Sequence, residues 1–149
     1  LTDLYHIRQM VSSITMRIPQ TFCHGDLTFT NIIFNKNRLY LIDFLDCFID
    51  SFLCDLIKLK QDLYYHWSLD VQGVESLRIR QIYSFLWEKI EQRYSEYVDT
   101  IEFNVLDILN TLRIEPYLTN EDQRLIIKRM LKCSSLYGNV SCTDGREVE

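Results

Sequence analysis

Glycine and proline are scarce in this sequence, 4 and 2 of 149 residues, which excludes collagen-like and low-complexity chains. Basic charge is also in deficit. Sixteen Lys and Arg stand against 21 Asp and Glu, a formal charge of −5, so no nucleic-acid partner with a broad phosphate-backbone footprint is expected. Charges interrupt every apolar stretch before the ~18–20 residues that span a bilayer, and the N-terminus lacks a basic-then-apolar signal pattern. No membrane partner and a cytoplasmic location are therefore expected. The five cysteines, Cys23, Cys47, Cys54, Cys133 and Cys142, are odd in number and never spaced C-x-x-C. They signal neither a disulfide framework nor a zinc site, and thiols in a reducing compartment are expected.

What is present suits one folded domain. Apolar residues make up 47% and charged residues 25% of a chain of single-domain length. Leu4, Ile7, Val11, Ile14 and Ile18 recur at helical spacing until Pro19 ends the pattern. Short β-rich runs follow at Thr21-Phe22-Cys23, Asn31 to Phe34 and Leu39 to Ile42, with Asn35-Lys36-Asn37 as the turn of a hairpin. From Ser51 onward the chain reads as helical. Phe52, Leu56, Leu59 and Leu63 form one face behind an Asp50 or Ser51 cap. Ile79, Ile82, Leu86, Ile90 and Tyr94 predict a core stripe on a helix over 75–98, and helices near 101–112 and 121–133 follow, separated at Pro116. The fold class expected is α+β, mostly helical with a small β hairpin.

Polar chemistry concentrates around that hairpin, in His24, Asp26, Asn31 and Asp43. Asp26 and Asn31 lie five apart across a loop, and Asp43 ends the returning strand. Two carboxylates and an amide offer hard oxygen donors, which suit Mg²⁺ carrying a phosphate ligand. The same residue types also suit an Asx-turn, a strand end and a turn cap.

The run His24-Gly25-Asp26-Leu27-Thr28-Phe29-Thr30-Asn31, followed by Leu41-Ile42-Asp43-Phe44, resembles the catalytic loop and metal-binding segment of the aminoglycoside phosphotransferase and choline kinase family, within the protein-kinase-like fold. The acid-to-amide spacing equals that of the kinase H-R-D-x-x-x-x-N loop. The resemblance implies Asp26 as catalytic base, and Asn31 and Asp43 as holders of Mg²⁺ on the phosphates of ATP or GTP. His24 and Asp55 would support the loop, the latter by anchoring its backbone amides. Gly25 stands where regulated protein kinases carry Arg, which favours the small-molecule kinase branch. The implied organisation is a kinase-like C-terminal lobe over 1–140, with catalytic loop 24–31, metal segment 41–46 and helical subdomain 51–138, then a polar tail over 141–149.

The pattern also departs from the family. Thr28-Phe29-Thr30 replaces a common His-Pro-Gly, and Ile49-Asp50-Ser51 replaces Gly-Asp-Pro, so the small-molecule acceptor is not fixed by the resemblance. Asp46 and Asp50 are candidates for the acceptor site or a second cation. The cluster Tyr64-Tyr65-His66-Trp67, with Asp62 and Asp70 nearby, is a candidate for a box around a cationic substrate, Tyr64 and Trp67 above all. Before His24 the only Lys or Arg residues are Arg8 and Arg17, and no Gly-rich phosphate loop appears. The chain, which begins with Leu, reads as a piece whose N-terminal nucleotide lobe is supplied by the same polypeptide. Alone it is expected to be inactive, with a somewhat apolar lobe face that would permit a homodimer. The alternative is a non-catalytic kinase-like binding or scaffold module.

Overall fold

The computed structural model describes Ser12 and residues 15–134. Most of the helix expected from Leu4 to Ile18 lies outside these residues; Ser12 is helical, and residues 15–18 are irregular. The tail 141–149 lies outside them as well.

The sheet has two antiparallel strands, β1 (Ile32–Asn35) and β2 (Arg38–Leu41), in the register Ile32↔Leu41 through Asn35↔Arg38. Lys36 opens the two-residue turn at φ 55°, in the left-handed region that tight hairpin turns require. Thr21 to Cys23 is not a third strand. The Thr21 amide donates to the Asp50 carbonyl (2.9 Å) and its hydroxyl accepts from the Phe52 amide (2.7 Å), so this segment is spent on tying the chain to the next helix.

Six helices follow: α1 (Phe52–Leu63), α2 (Trp67–Val71), α3 (Leu77–Arg93), α4 (Ser95–Val98), α5 (Ile101–Ile114) and α6 (Glu121–Cys133). Side chains of Ser51, Ser76, Thr100 and Asn120 accept backbone N–H bonds at the starts of α1, α3, α5 and α6, satisfying donors that a helix start leaves unpaired. The single helix expected over 75–98 is broken at Tyr94, and α2 is a short addition that periodicity did not signal.

α1 is the centre of the fold, packed against α2, α3 and α5. Eight of its twelve residues are buried, so it is enclosed all round rather than along the stripe expected. Leu53, Leu56, Ile57 and Leu63 join Trp87, Val98, Phe103 and Leu106 in the main core, while Phe52 and Leu59 are only partly covered. Each such buried side chain contributes about 1.5–3 kcal/mol. A second cluster gathers Tyr65, Ile127 and Met130.

The stripe expected on α3 is also corrected. Trp87 is its one buried residue, Tyr83, Leu86 and Ile90 pack beside it, and Ile79, Ile82 and Tyr94 are exposed. The helix is turned so that the row 83, 86/87 and 90 meets the core, because the large indole covers more apolar surface than the isoleucines it displaces. Cys23, Cys47 and Cys54 are free thiols, whereas Cys133 is disulfide-bonded. Spacing rules address frameworks and metal sites and are silent on a single pair. Among the described residues no helix is long and apolar enough to cross a membrane.

Candidate active site

Three side chains on one face of α1 hold the loop over 24–31. Asp55 accepts the backbone N–H groups of His24 (2.8 Å) and Gly25 (3.0 Å). Lys58 places its ammonium 3.0 Å from Asp26 Oδ1. Asp62 accepts the Phe29 amide (2.8 Å). Positions i, i+3 and i+7 share a helix face, so a polar stripe on a buried helix dictates the path of the loop.

Gly25 is where the chain turns. Its φ is +86°, and a Cβ there would lie 2.1 Å from the Leu45 carbonyl oxygen and 3.2 Å from Cys47 Sγ. Any side chain is excluded, both by backbone handedness and by contact. This is the physical reason that an arginine has no room at this position.

Asp26 is clamped from both sides. Lys58 holds Oδ1, and the Asn31 amide donates to Oδ2 (3.1 Å) and to the Asp26 carbonyl (2.9 Å). The Asp26 side chain keeps 23% exposure, so its remaining lone pairs face solvent. With its nitrogen committed, Asn31 has Oδ1 as the side-chain atom able to meet a cation.

Asp43 follows directly on the hairpin. The Ile42 amide donates to the Asn31 carbonyl (3.1 Å), the Phe44 ring lies 4.2 Å from the His24 ring, and the Leu45 amide donates to the His24 carbonyl (3.0 Å). Residues 42–45 thus run beside the loop, and Asp43 sits between two attachment points with φ 62°. A non-glycine residue held there costs about 1–2 kcal/mol. Its side chain is exposed and makes no hydrogen bond or ion pair among the described residues. No three His, Cys, Asp or Glu side chains among those residues converge as a metal site. His24 is buried. Its Nδ1 accepts the Asp26 amide (3.3 Å), which places the ring proton on Nε2, an atom without a partner among the described residues.

Behind the loop lies a cavity of about 30 Å³ bordered by Gly25, Cys47, Cys54, Lys58, Asn110 and Arg113. Burial, with Cys23 beside it, pushes the Cys47 thiol up to about 12, and burial raises Cys54 as well. Such thiols are protonated at neutral pH and poorly nucleophilic.

The remaining candidates fall elsewhere. Asp46 and Asp50 are exposed, with no side-chain partner among the described residues. The aromatic box does not assemble around an open space, because its cation is the chain's own Lys60. The Lys60 ammonium lies 5.4–6.0 Å from the ring centroids of Tyr64, Tyr65, Trp87 and Phe103 and 2.8 Å from Asp107, which Tyr65 also bonds (2.6 Å). Trp67 packs instead against the second core cluster. One oxygen of Asp62 accepts the Phe29 amide and the other is buried without a hydrogen-bond partner among the described residues, while Asp70 pairs with Arg80 (2.6 Å) and Arg129 (2.5 Å). Asp62, at 1% exposure, is closed to an outside cation, and Asp70 is already answered by two guanidinium groups.

Lys58 is the site residue that motif reading passes over. The available signal was the polar row Asp55, Lys58 and Asp62 embedded in an otherwise apolar helix.

The family model described as "Phosphotransferase enzyme family" matches residues 7–93, a span that contains the loop, the hairpin and all of α1. No curated protein and no solved structure matches the chain. With more than half of its length matched, and with the clamped Asp26 and Asn31 inside the matched span, the chain belongs to the phosphotransferase enzyme family.

Proposed function

We propose that this chain is the C-terminal, acceptor-side lobe of a protein-kinase-like small-molecule kinase, which transfers the γ-phosphate of ATP or GTP to a hydroxyl or amine. The observation that carries the reading is the clamp on Asp26. A carboxylate fixed through both oxygens, yet still open to solvent, is suited to orient an acceptor and take its proton as phosphate is transferred. The proton moves from the acceptor to an Asp26 lone pair that neither Lys58 nor Asn31 uses.

Asn31 Oδ1 and the Asp43 carboxylate fit Mg²⁺ by donor chemistry. Both are hard oxygens, and two protein ligands match the habit of an ion that takes the rest from phosphates and water. When bound, Mg²⁺ would neutralise charge on the nucleotide phosphates. The left-handed turn at Asp43 and the Ile42–Asn31 bond are what hold these two residues at neighbouring points of the backbone.

The phosphates themselves need a second set of groups, and we assign these to an N-terminal lobe of the same polypeptide. Support comes from the hairpin, whose Ile33, Phe34, Leu39, Tyr40 and Leu41 are exposed, as are Phe44 and Phe48 just beyond it. An isolated two-stranded sheet is marginal in water, and an apolar surface of this kind calls for a cover. A second copy of this chain is the other occupant, separable by a mass that rises with concentration. Without its cover the 149-residue chain is expected to transfer no phosphate.

The test uses the polypeptide carrying this chain with its N-terminal lobe. Mg²⁺-dependent transfer to a panel of hydroxyl and amine acceptors is measured for wild type, Asp26→Asn and Asp43→Asn. Turnover abolished by both substitutions supports the reading. A folded protein that neither binds nor turns over nucleotide refutes it and leaves the loop as a scaffold. Asp26-dependent turnover by the 149-residue chain alone would overturn the need for the second lobe.

A further inference from the structure

Lys58 is nearly as buried as the leucines around it, at 7% exposure, although a lysine on a helix ordinarily extends its ammonium to water. The charge instead points to the loop and ends 3.0 Å from Asp26. Lys58 lies in the middle of the stripe whose two other members, Asp55 and Asp62, fix the loop backbone. It alone in that stripe touches the side chain of the proposed base.

We propose that Lys58 is the positioning residue for Asp26, its ammonium fixing one carboxylate oxygen while Asn31 fixes the other, so that the free lone pairs meet the acceptor in one orientation. The proposal rests on the reading of Asp26 as the base. Lys58 stays outside the reaction, neither giving nor taking the proton.

The surroundings favour this role. Facing the ammonium are Asp26 from the loop, Asp62 from its own helix and Arg113 from α5. Burial pushes the Lys58 pKa down and Arg113 adds to this, while Asp26, and more weakly Asp62, push it back up. Of the groups around it, Asp26 does most to offset the cost of burying the ammonium. α1 is held on several sides by other helices, so Lys58 is anchored on the most constrained element available. A group on such an element sets geometry better than one on a loop.

Two arms test the proposal. In the first, the 149-residue chain is labelled at Lys ¹³Cε and Asp ¹³Cγ, and the Lys58 signal is identified by its loss in Lys58→Arg. Asp26→Asn is expected to lower the pH at which Lys58 loses its proton. An unchanged Lys58 titration overturns the proposal whatever the enzyme assay gives. If Asp26→Asn does not fold, Asp26→Glu decides, because a carboxylate displaced by one methylene must still shift the Lys58 signal, and an unchanged signal overturns the pairing. In the second arm, the two-lobed polypeptide carrying Lys58→Met is expected to lose roughly 10²-fold in kcat with little change in nucleotide KM. Lys58→Arg should recover much of the lost kcat. A fall in kcat with no rescue by arginine, or one matched by an equal rise in nucleotide KM, marks a merely structural lysine and refutes the proposal. Should the wild type show no transfer at all while the first arm succeeds, the base assignment has failed and Lys58 is reduced to a structural ion pair.

Discussion

Gly25→Ala puts the close approach of the loop and the segment after β2 to a direct test, with Gly73→Ala as its matched control. Both glycines have positive φ, +86° and +67°. Around Gly73 a Cβ meets nothing within 4 Å, so alanine there carries only the backbone penalty of about 1–2 kcal/mol. At Gly25 the same penalty applies, and the new methyl would also stand 2.1 Å from the Leu45 oxygen and 2.9 Å from its carbon. Relief requires a main-chain shift of about an ångström, at typical overpacking costs of ~1–3 kcal/mol. The Leu45–His24 and Asp55–Gly25 hydrogen bonds stand in the way of that shift. The total comes to roughly 2–5 kcal/mol, reaching the upper end for a single substitution. Urea unfolding with a shared slope m reads the difference directly. In thermal scans Gly25→Ala is expected to lower Tm by about 10 °C or more, against a few degrees for Gly73→Ala. Equal losses for the two variants would refute the close packing of Leu45 on Gly25, and with it the explanation for the absence of a side chain at this position.

Two further predictions concern the polar residues around α1. Asp55→Ala leaves the amides of His24 and Gly25 without their acceptor, at about 1–3 kcal/mol for each buried donor that finds no substitute, so a loss of ~2–4 kcal/mol in urea unfolding is expected. Hydrogen exchange at these two amides should accelerate, and wild-type protection would refute the anchoring role. Burial and Asp107 push the Tyr65 pKa well above its usual 10.0. The unfolded chain thus releases this proton near pH 10 while the folded chain keeps it, so Tyr65 contributes stability that is full below pH 10 and is lost as pH rises beyond it. Tyr65→Phe should flatten the fall of unfolding free energy between pH 9 and 11, and an unchanged slope would show that Tyr65 is not held protonated by the fold.

Elements set by local chemistry were legible in the sequence. The turn residues between the two β-rich runs announce the hairpin, and Ser51, one of the two expected caps, starts α1. What depends on distant partners was not legible. The buried face of α3 turns on Trp87 fitting against α1, which the isoleucine spacing of α3 does not reveal. α1 reads as amphipathic from its leucines, but it is buried all round because Lys60 and Gln61 find Asp107 and Asn110 some 47 and 49 residues away. Periodicity counts such residues as solvated, since it has no access to a counter-charge that arrives only with the tertiary fold.

The same reasoning explains the reading of the site. His24, Asp26, Asn31 and Asp43 stand out because they are polar residues at fixed spacing in a loop, and loops display such groups. Asp55 stood out only through the family resemblance. Lys58 did not, because a lysine in a helix is most often surface, and nothing local distinguishes it from Lys89, which is exposed on α3. The distinction lies in phase. Asp55, Lys58 and Asp62 occupy a single helix face, and a buried charged row can persist only if another segment answers each member in turn. The loop answers with two amides, a carboxylate and a third amide, in chain order from His24 to Phe29. Loop and helix therefore specify one another, and a charge reversal at Lys58 should disturb the loop over 24–31 more than any substitution on the exposed face of α3.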